Sequence, residues 1–256
     1  MRKLYEKNEI GFALVWIGLY VVLMNIALQF CGGLDDLAGK TAEMLIVPVA
    51  MVTVLTAGAL IWILRSGTAE KYGLCRFRGS WKGFLFFLPL IVFSLVNFSD
   101  GVGLNAPLAV SLLMMANMAI AGLLEEIIFR GFLFRAMAKS NLRSAVIVSA
   151  VTFGAGHVVN LLNTDDVLGM LLQMAYAVTV GFMFVAIVFK GGSLWPCIIS
   201  HMVVNGSSVF ALERGPFTQL IASLTGSAAA GTVQAVSVAL VMIISGGYAL
   251  WLWKKA

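Results

Sequence analysis

Long apolar segments are the feature of this sequence that most restricts its fold. A helix needs about 20 apolar residues to cross a bilayer, and eight segments approach or reach that length. They lie at 9–30, 42–64, 82–99, 106–135, 143–162, 166–189, 194–212 and 230–253. They lack the two-residue alternation of strands, and only helices or closed barrels satisfy the backbone in lipid. The sequence therefore predicts an all-α, polytopic transmembrane helical bundle of about eight membrane helices.

Composition favours a single transmembrane domain that covers residues 1–256. Hydrophobic residues make up 61% of the chain and charged residues 11%, whereas a soluble domain has about 25% charged residues. The basic N-terminus resembles a signal peptide, but the first apolar run is about long enough to span and no cleavage site follows it. We therefore expect a retained first helix. The stretch 215–231 stays open, either as a re-entrant segment or as part of another span.

Basic residues gather at one set of helix ends. Of the 17 Lys and Arg residues, 14 flank these ends, while only Lys40 and Arg214 lie in the opposite loops. Because cytoplasmic loops are enriched in Lys and Arg, we expect a multi-pass protein of the cell membrane with both termini in the cytoplasm. Loops 31–41 and 163–165 then lie outside. This topology accounts for the net charge of +5, so we expect the lipid bilayer as a partner and no nucleic acid.

Several polar residues lie inside the predicted spans, where an ionisable group costs about 2.5–3.5 kcal/mol on insertion scales and usually has a function. They are Glu125, Glu126 and Arg130 in the fourth span, His157 in the fifth, and His201 and Asn205 in the seventh. Glu126 and Arg130 are four residues apart and can pair on one face, whereas Glu125 has no basic partner at helical spacing. We expect three helices to converge on one polar pocket that opens toward the cytoplasmic half. Gly154 and Gly156 should permit close helix contact beside His157.

These residues form three motifs in chain order: Glu-Glu-x-x-x-Arg from Glu125, Phe-x-x-x-His from Phe153, and His-x-x-x-Asn from His201. Over about residues 106–210, the chain resembles the CAAX prenyl protease and bacteriocin-processing (CPBP or Abi) family of intramembrane proteases. The resemblance implies an endopeptidase that acts on membrane-associated or prenylated proteins or peptides. It implies Glu125 as general base with His157 sharing the water, and His201 and Asn205 as donors to the oxyanion. Arg130 would hold Glu126 in support.

A metal-dependent reaction stays open as an alternative. One glutamate and two histidines are a known catalytic zinc set, so Glu125, His157 and His201 are alternative ligands for a divalent metal such as zinc. The H-E-x-x-H signature is absent, and histidines bound to a metal could not also serve the oxyanion. We therefore favour a metal-free glutamate protease without a cofactor. Two other classes also stay open: a non-catalytic scaffold or immunity protein that keeps the pocket, and a proton-coupled transporter with a Glu–His relay.

Overall fold

The chain folds as a bundle of apolar helices, which confirms the predicted fold class. The computed structural model describes residues 1–33, 37–162 and 164–255. Parts of the two loops expected outside, 34–36 and 163, therefore lie outside the described residues. The α-helices are α1 (Arg2–Lys7), α2 (Glu9–Phe30), α3 (Ala42–Arg65), α4 (Leu88–Ser94), α5 (Leu108–Glu126), α6 (Arg135–Ala138), α7 (Leu142–Ala155), α8 (Val167–Gly191), α9 (Trp195–Ser207), α10 (Pro216–Thr225) and α11 (Ala230–Lys254).

Shorter helical turns join and extend these elements. The 3₁₀ helices are Leu37–Gly39, Lys82–Phe87, Val96–Phe98, Gly156–Leu162 and Ser208–Phe210. A π-helix, Ile127–Phe134, joins α5 to α6 without a break, and all eight of its residues are buried. π-helical turns inside α-helices are rare and often mark functional sites, and this one follows Glu125 and Glu126 directly.

In the described part of the chain, six helices are long and apolar enough to cross a membrane. They are Glu9–Phe30, Ala42–Arg65, Leu108–Ala138, Leu142–Leu162, Val167–Gly191 and Ala230–Lys254. These six coincide with six of the eight predicted spans, and they support a multi-pass integral membrane protein. The count of eight is not confirmed, because the segments 82–99 and 194–212 do not form helices of that length.

The predicted span 82–99 is broken near its beginning. Its first part is the 3₁₀ helix Lys82–Phe87, and α4 adds only seven residues. Leu85, Phe86 and Phe87 have φ values of 49°, 53° and 56°, in the left-handed region that is costly for residues with a Cβ. Pro89 also has no N–H to donate to the Leu85 carbonyl. A continuous helix through this point is therefore disfavoured, although the segment is apolar enough to predict one.

Two other helices near the C-terminal end are also too short to span. α9 has 13 residues and α10 has ten, which correspond to about 20 Å and 15 Å of helix against a hydrocarbon core of about 30 Å. α10 ends at Thr225 and is followed by Gly226, whose φ is +72°, and α11 begins separately at Ala230. The stretch left open in the sequence thus contains a short separate helix, and within the described residues it adds no ninth span.

Two glycines allow the helices around the polar residues to approach closely. A Cβ on Gly154 would lie 2.8 Å from the Met174 carbonyl oxygen in α8. A Cβ on Gly122 would lie 3.3 Å from the His201 backbone in α9. The close contact expected at Gly154 is therefore confirmed. The same expectation at Gly156 is wrong, because a Cβ there would meet only Phe129, at an ordinary 3.9 Å.

Candidate active site

A cavity of about 350 Å³ lies among α2, α5, α7, α8 and α9. Its lining contains Glu125, His157, His201 and Asn205, the four residues that the family resemblance implies are catalytic. Further polar side chains complete its wall: Tyr20, Asn25, Asn117, Asn160, Gln173 and Tyr176. The expected convergence of three helices on one polar pocket is thus present. α2 and α8 supply two further walls that the sequence analysis had not assigned.

The cavity lies toward the helix ends that are not flanked by basic residues. α2 lines it from Tyr20 to Leu28, in its second half, and α7 and its 3₁₀ extension line it from Phe153 to Asn160. α8 contributes only its first half, from Met170 to Val180. The expectation that the pocket opens toward the basic, cytoplasmic ends is therefore wrong.

A buried ion pair lies behind the cavity. Arg130 Nη1 donates to Glu126 Oε1 at 2.9 Å, and neither side chain is exposed. The guanidinium also lies over the Phe153 ring, 4.0 Å from its centroid, and 5.3 Å from that of Phe184. The predicted pairing of Glu126 with Arg130 is therefore confirmed. Because breaking a buried pair leaves an uncompensated charge, this cluster should matter for folding.

His201 lies between the two glutamates. Its Nδ1 is 2.9 Å from Glu126 Oε1, and its Nε2 is 3.4 Å from Glu125 Oε2. An ionised carboxylate only accepts hydrogen bonds, so Nδ1 carries a hydrogen and Glu126 sets the orientation of the ring. The other ring nitrogen, Nε2, faces Glu125 and the cavity. Since Arg130 already balances the charge of Glu126, Glu125 is the acidic group that faces Nε2 of His201 beside the cavity.

Glu125 has partners that helical spacing could not reveal. The Tyr20 hydroxyl, from α2, donates a hydrogen bond to Glu125 Oε1, while Oε2 faces His201. Glu125 therefore faces two other helices, as its lack of a basic neighbour indicated. The sequence analysis missed Tyr20. Its signal is a tyrosine in the middle of an apolar span, since tyrosines in membrane proteins favour the two interfaces.

His157 and Asn205 each make one hydrogen bond to a backbone carbonyl. His157 Nδ1 donates to the Phe153 carbonyl oxygen at 3.1 Å, which leaves Nε2 as an acceptor for a group in the cavity. Asn205 Nδ2 donates to the Met118 carbonyl oxygen at 3.4 Å, near the limit for a hydrogen bond. Its second amide hydrogen is available to a ligand. One acceptor and one donor thus line the same cavity as Glu125.

The arrangement does not fit a three-ligand metal centre. Within residues 1–33, 37–162 and 164–255, no group of three His, Cys, Asp or Glu side chains is placed to hold a metal ion. Of the alternative ligands, His201 and His157 each use Nδ1 for a protein hydrogen bond, to Glu126 and to Phe153 respectively, so only the Nε2 atom of each ring could face an ion. Glu125 Oε1 accepts the Tyr20 hydroxyl.

Comparison with protein families agrees with this site. Residues 105–207 match the family model described as type II CAAX prenyl endopeptidase Rce1-like. The predicted family resemblance is confirmed over this segment. The match includes all six site residues from Glu125 to Asn205 and leaves out α2, α3 and α11. A comparison with curated proteins finds no match to the chain. The family match implies a protease of the CAAX endopeptidase type with protein or peptide substrates.

Proposed function

We propose that this protein is an intramembrane endopeptidase that hydrolyses a peptide bond in a membrane-associated protein or peptide. The observation that carries the proposal is the cavity lined by Glu125, His157, His201 and Asn205, within the segment that matches the endopeptidase family. Because that family is described as acting on CAAX prenyl substrates, a prenylated C-terminal peptide is the first substrate to test.

The proposed reaction uses one water molecule bound between two acceptors. Glu125 and the Nε2 atom of His157 accept its two hydrogens and aim its oxygen at the substrate carbonyl. As the new C–O bond forms, the water proton moves to Glu125 and the carbonyl oxygen takes the negative charge. The C–N bond then breaks, and Glu125 returns the proton to the leaving amine.

The oxyanion is held from α9 in this proposal. Asn205 Nδ2 donates one hydrogen bond, and His201 donates a second from Nε2 when its imidazole is protonated. Glu126 accepts a hydrogen bond from Nδ1 and so holds the ring with Nε2 toward the cavity. In this proposal Nδ1 of His201 bonds Glu126, and Nε2 bonds the oxyanion. A metal ion is not part of this mechanism.

Purified protein and a small set of membrane peptides test the proposal. Wild-type protein and Glu125→Gln are incubated with a prenylated CAAX peptide and with its unprenylated form, each with and without a metal chelator. We expect cleavage by the wild type only, with no effect of the chelator. Cleavage that persists in Glu125→Gln would overturn the proposed role of Glu125. Cleavage that the chelator stops and zinc restores would replace the glutamate mechanism with a metal-dependent one.

The proposal also includes an orientation, with both termini in the cytoplasm and the cavity toward the opposite face. Cys31 is buried, so introduced cysteines are better probes. Ser140 and Asp165 are exposed in loops at opposite ends of the bundle. In a Cys75→Ser background, an impermeant thiol reagent applied to intact cells should label Asp165→Cys and spare Ser140→Cys. The reverse pattern would invert the proposed topology.

A further inference from the structure

Tyr20 occupies an unusual position for a tyrosine in a membrane helix. It lies eleven residues after Glu9, the first residue of α2, which is about 16 Å along the helix and near the middle of a core of about 30 Å. Tyrosines usually lie at the membrane interfaces. A phenol hydroxyl in an apolar surrounding needs a hydrogen-bond partner, and the partner here is Glu125.

The bond controls which oxygen of Glu125 faces the reaction. The terminal torsion of a glutamate is broad and roughly two-fold, so the side chain alone does not distinguish its two oxygens. Tyr20 bonds Oε1, and Oε2 is left 3.4 Å from His201 Nε2. A neutral donor also stabilises the ionised carboxylate without adding a charge to the cavity.

We propose that Tyr20 is a positioning residue for Glu125, supplied by the first membrane helix from outside the segment that matches the protease family. The inference rests on the proposed function, because positioning a general base matters only if Glu125 is one. α2 completes the site in this view. A second bond from the same helix supports it, since Asn25 Nδ2 donates to the Val159 carbonyl oxygen at 3.3 Å beside the cavity.

The chain offers a matched control in Tyr248. Its hydroxyl is buried and donates to a backbone carbonyl, that of Phe84, at 2.7 Å. Tyr248 lies on α11 and does not line the cavity. Tyr20→Phe and Tyr248→Phe each delete one phenol oxygen and one hydrogen bond inside an apolar helix bundle. Any effect specific to Tyr20 therefore reports on Glu125 and not on the loss of a buried hydroxyl.

The kinetic test measures kcat, KM and the pH profile of peptide cleavage for the wild type and both variants. In Tyr20→Phe we expect kcat to fall about tenfold or more, as for loss of a hydrogen bond to a charged group. KM should stay within about twofold, and the pH profile of kcat should differ from that of the wild type. Tyr248→Phe should keep the wild-type profile. A folded Tyr20→Phe protein with wild-type kcat and pH profile would overturn the inference.

A stability cycle tests the contact independently of cleavage. Thermal unfolding in detergent is compared for the wild type, Tyr20→Phe, Glu125→Met and the double variant. If Tyr20 and Glu125 are bonded, Tyr20→Phe lowers the Tm in the wild-type background and lowers it less, or not at all, with Glu125→Met. Additive shifts would overturn the inference even if the protein is a protease. If the Tm shifts are non-additive but the Glu125→Gln variant still cleaves the peptide, the contact is supported and the proposed function is overturned.

Discussion

Two regions on either side of α5 hold the two adjacent glutamates in opposite surroundings. The buried ion-pair cluster (Glu126, Arg130, Phe153 and Phe184) encloses Glu126, which has no exposed surface. On the other side, Glu125 lines the cavity and contacts Tyr20 and His201. Consecutive helical residues point about 100° apart, so one step along the chain separates a carboxylate in a buried ion pair from one that lines the cavity.

The difference also shows how charges are handled inside a membrane protein. In the ion-pair cluster, the permanent positive charge of Arg130 compensates Glu126, and the faces of two phenylalanine rings contact the guanidinium. On the cavity side, the partners of Glu125 are a phenol and an imidazole, which can donate, accept or exchange protons. His201 touches both carboxylates and so connects the two regions. We expect changes in the cluster to act on folding and changes in the cavity to act on catalysis.

The largest effect is expected from Glu125→Gln. Removing the general base should reduce kcat about 10²–10⁴-fold or more. The Tm should stay near that of the wild type, because the Gln amide oxygen can still accept the Tyr20 hydroxyl. Glu213→Gln, the same change at an exposed position, serves as control in the same cleavage and unfolding measurements. An active but unstable Glu125→Gln protein would reverse the roles of the two regions.

Asn205→Ala should give the next largest loss on the cavity side. Deleting one oxyanion donor typically costs about 10²–10³-fold in kcat, with little change in stability because the bond to Met118 is long. Asn105 makes two bonds to backbone carbonyls outside the cavity, and Asn105→Ala should leave kcat unchanged. Equal kcat losses in the two variants would show that Asn205 acts through folding alone.

Changes in the ion-pair cluster should mainly reduce the amount of folded protein. Glu126→Gln or Arg130→Ala leaves one buried charge uncompensated, which costs about 3–5 kcal/mol in comparable soluble cases. Glu126→Gln should also lower activity, since His201 Nδ1 loses its carboxylate partner. Measuring membrane yield and Tm beside kcat separates the two effects. A Glu126→Gln protein with wild-type Tm and no activity would place Glu126 on the catalytic side of the comparison.

The smallest effect is expected from the helix contact that supports both regions. Gly154→Ala places a methyl group against Met174 and Val178 of α8, and such overpacking costs about 1–3 kcal/mol. Gly156→Ala, two residues away, meets only Phe129 at 3.9 Å and should leave the Tm almost unchanged. Similar Tm values for the two variants would show that α7 and α8 can move apart without loss of stability.

Local sequence spacing was sufficient for several features of this protein. Six of the predicted spans follow from apolar length, and the bond between Glu126 and Arg130 follows from a spacing of four. Both depend on helix geometry within one segment. The span predicted at 82–99 was wrong, because apolar length alone does not show where the backbone of a helix is interrupted. Pro89 has no N–H for the helical hydrogen bond, and the three residues 85–87 have positive φ values.

The sequence by itself determined that this chain crosses a membrane and carries motifs of a protease family. It also determined which residues are too polar for lipid. Only the tertiary structure decided their partners: His201 between two glutamates, and Tyr20 on Glu125, 105 positions away in the chain. It also placed the cavity toward the less basic helix ends. Contacts between helices depend on how the helices rotate and cross when they pack. The periodicity of residues within one helix does not determine that rotation or crossing.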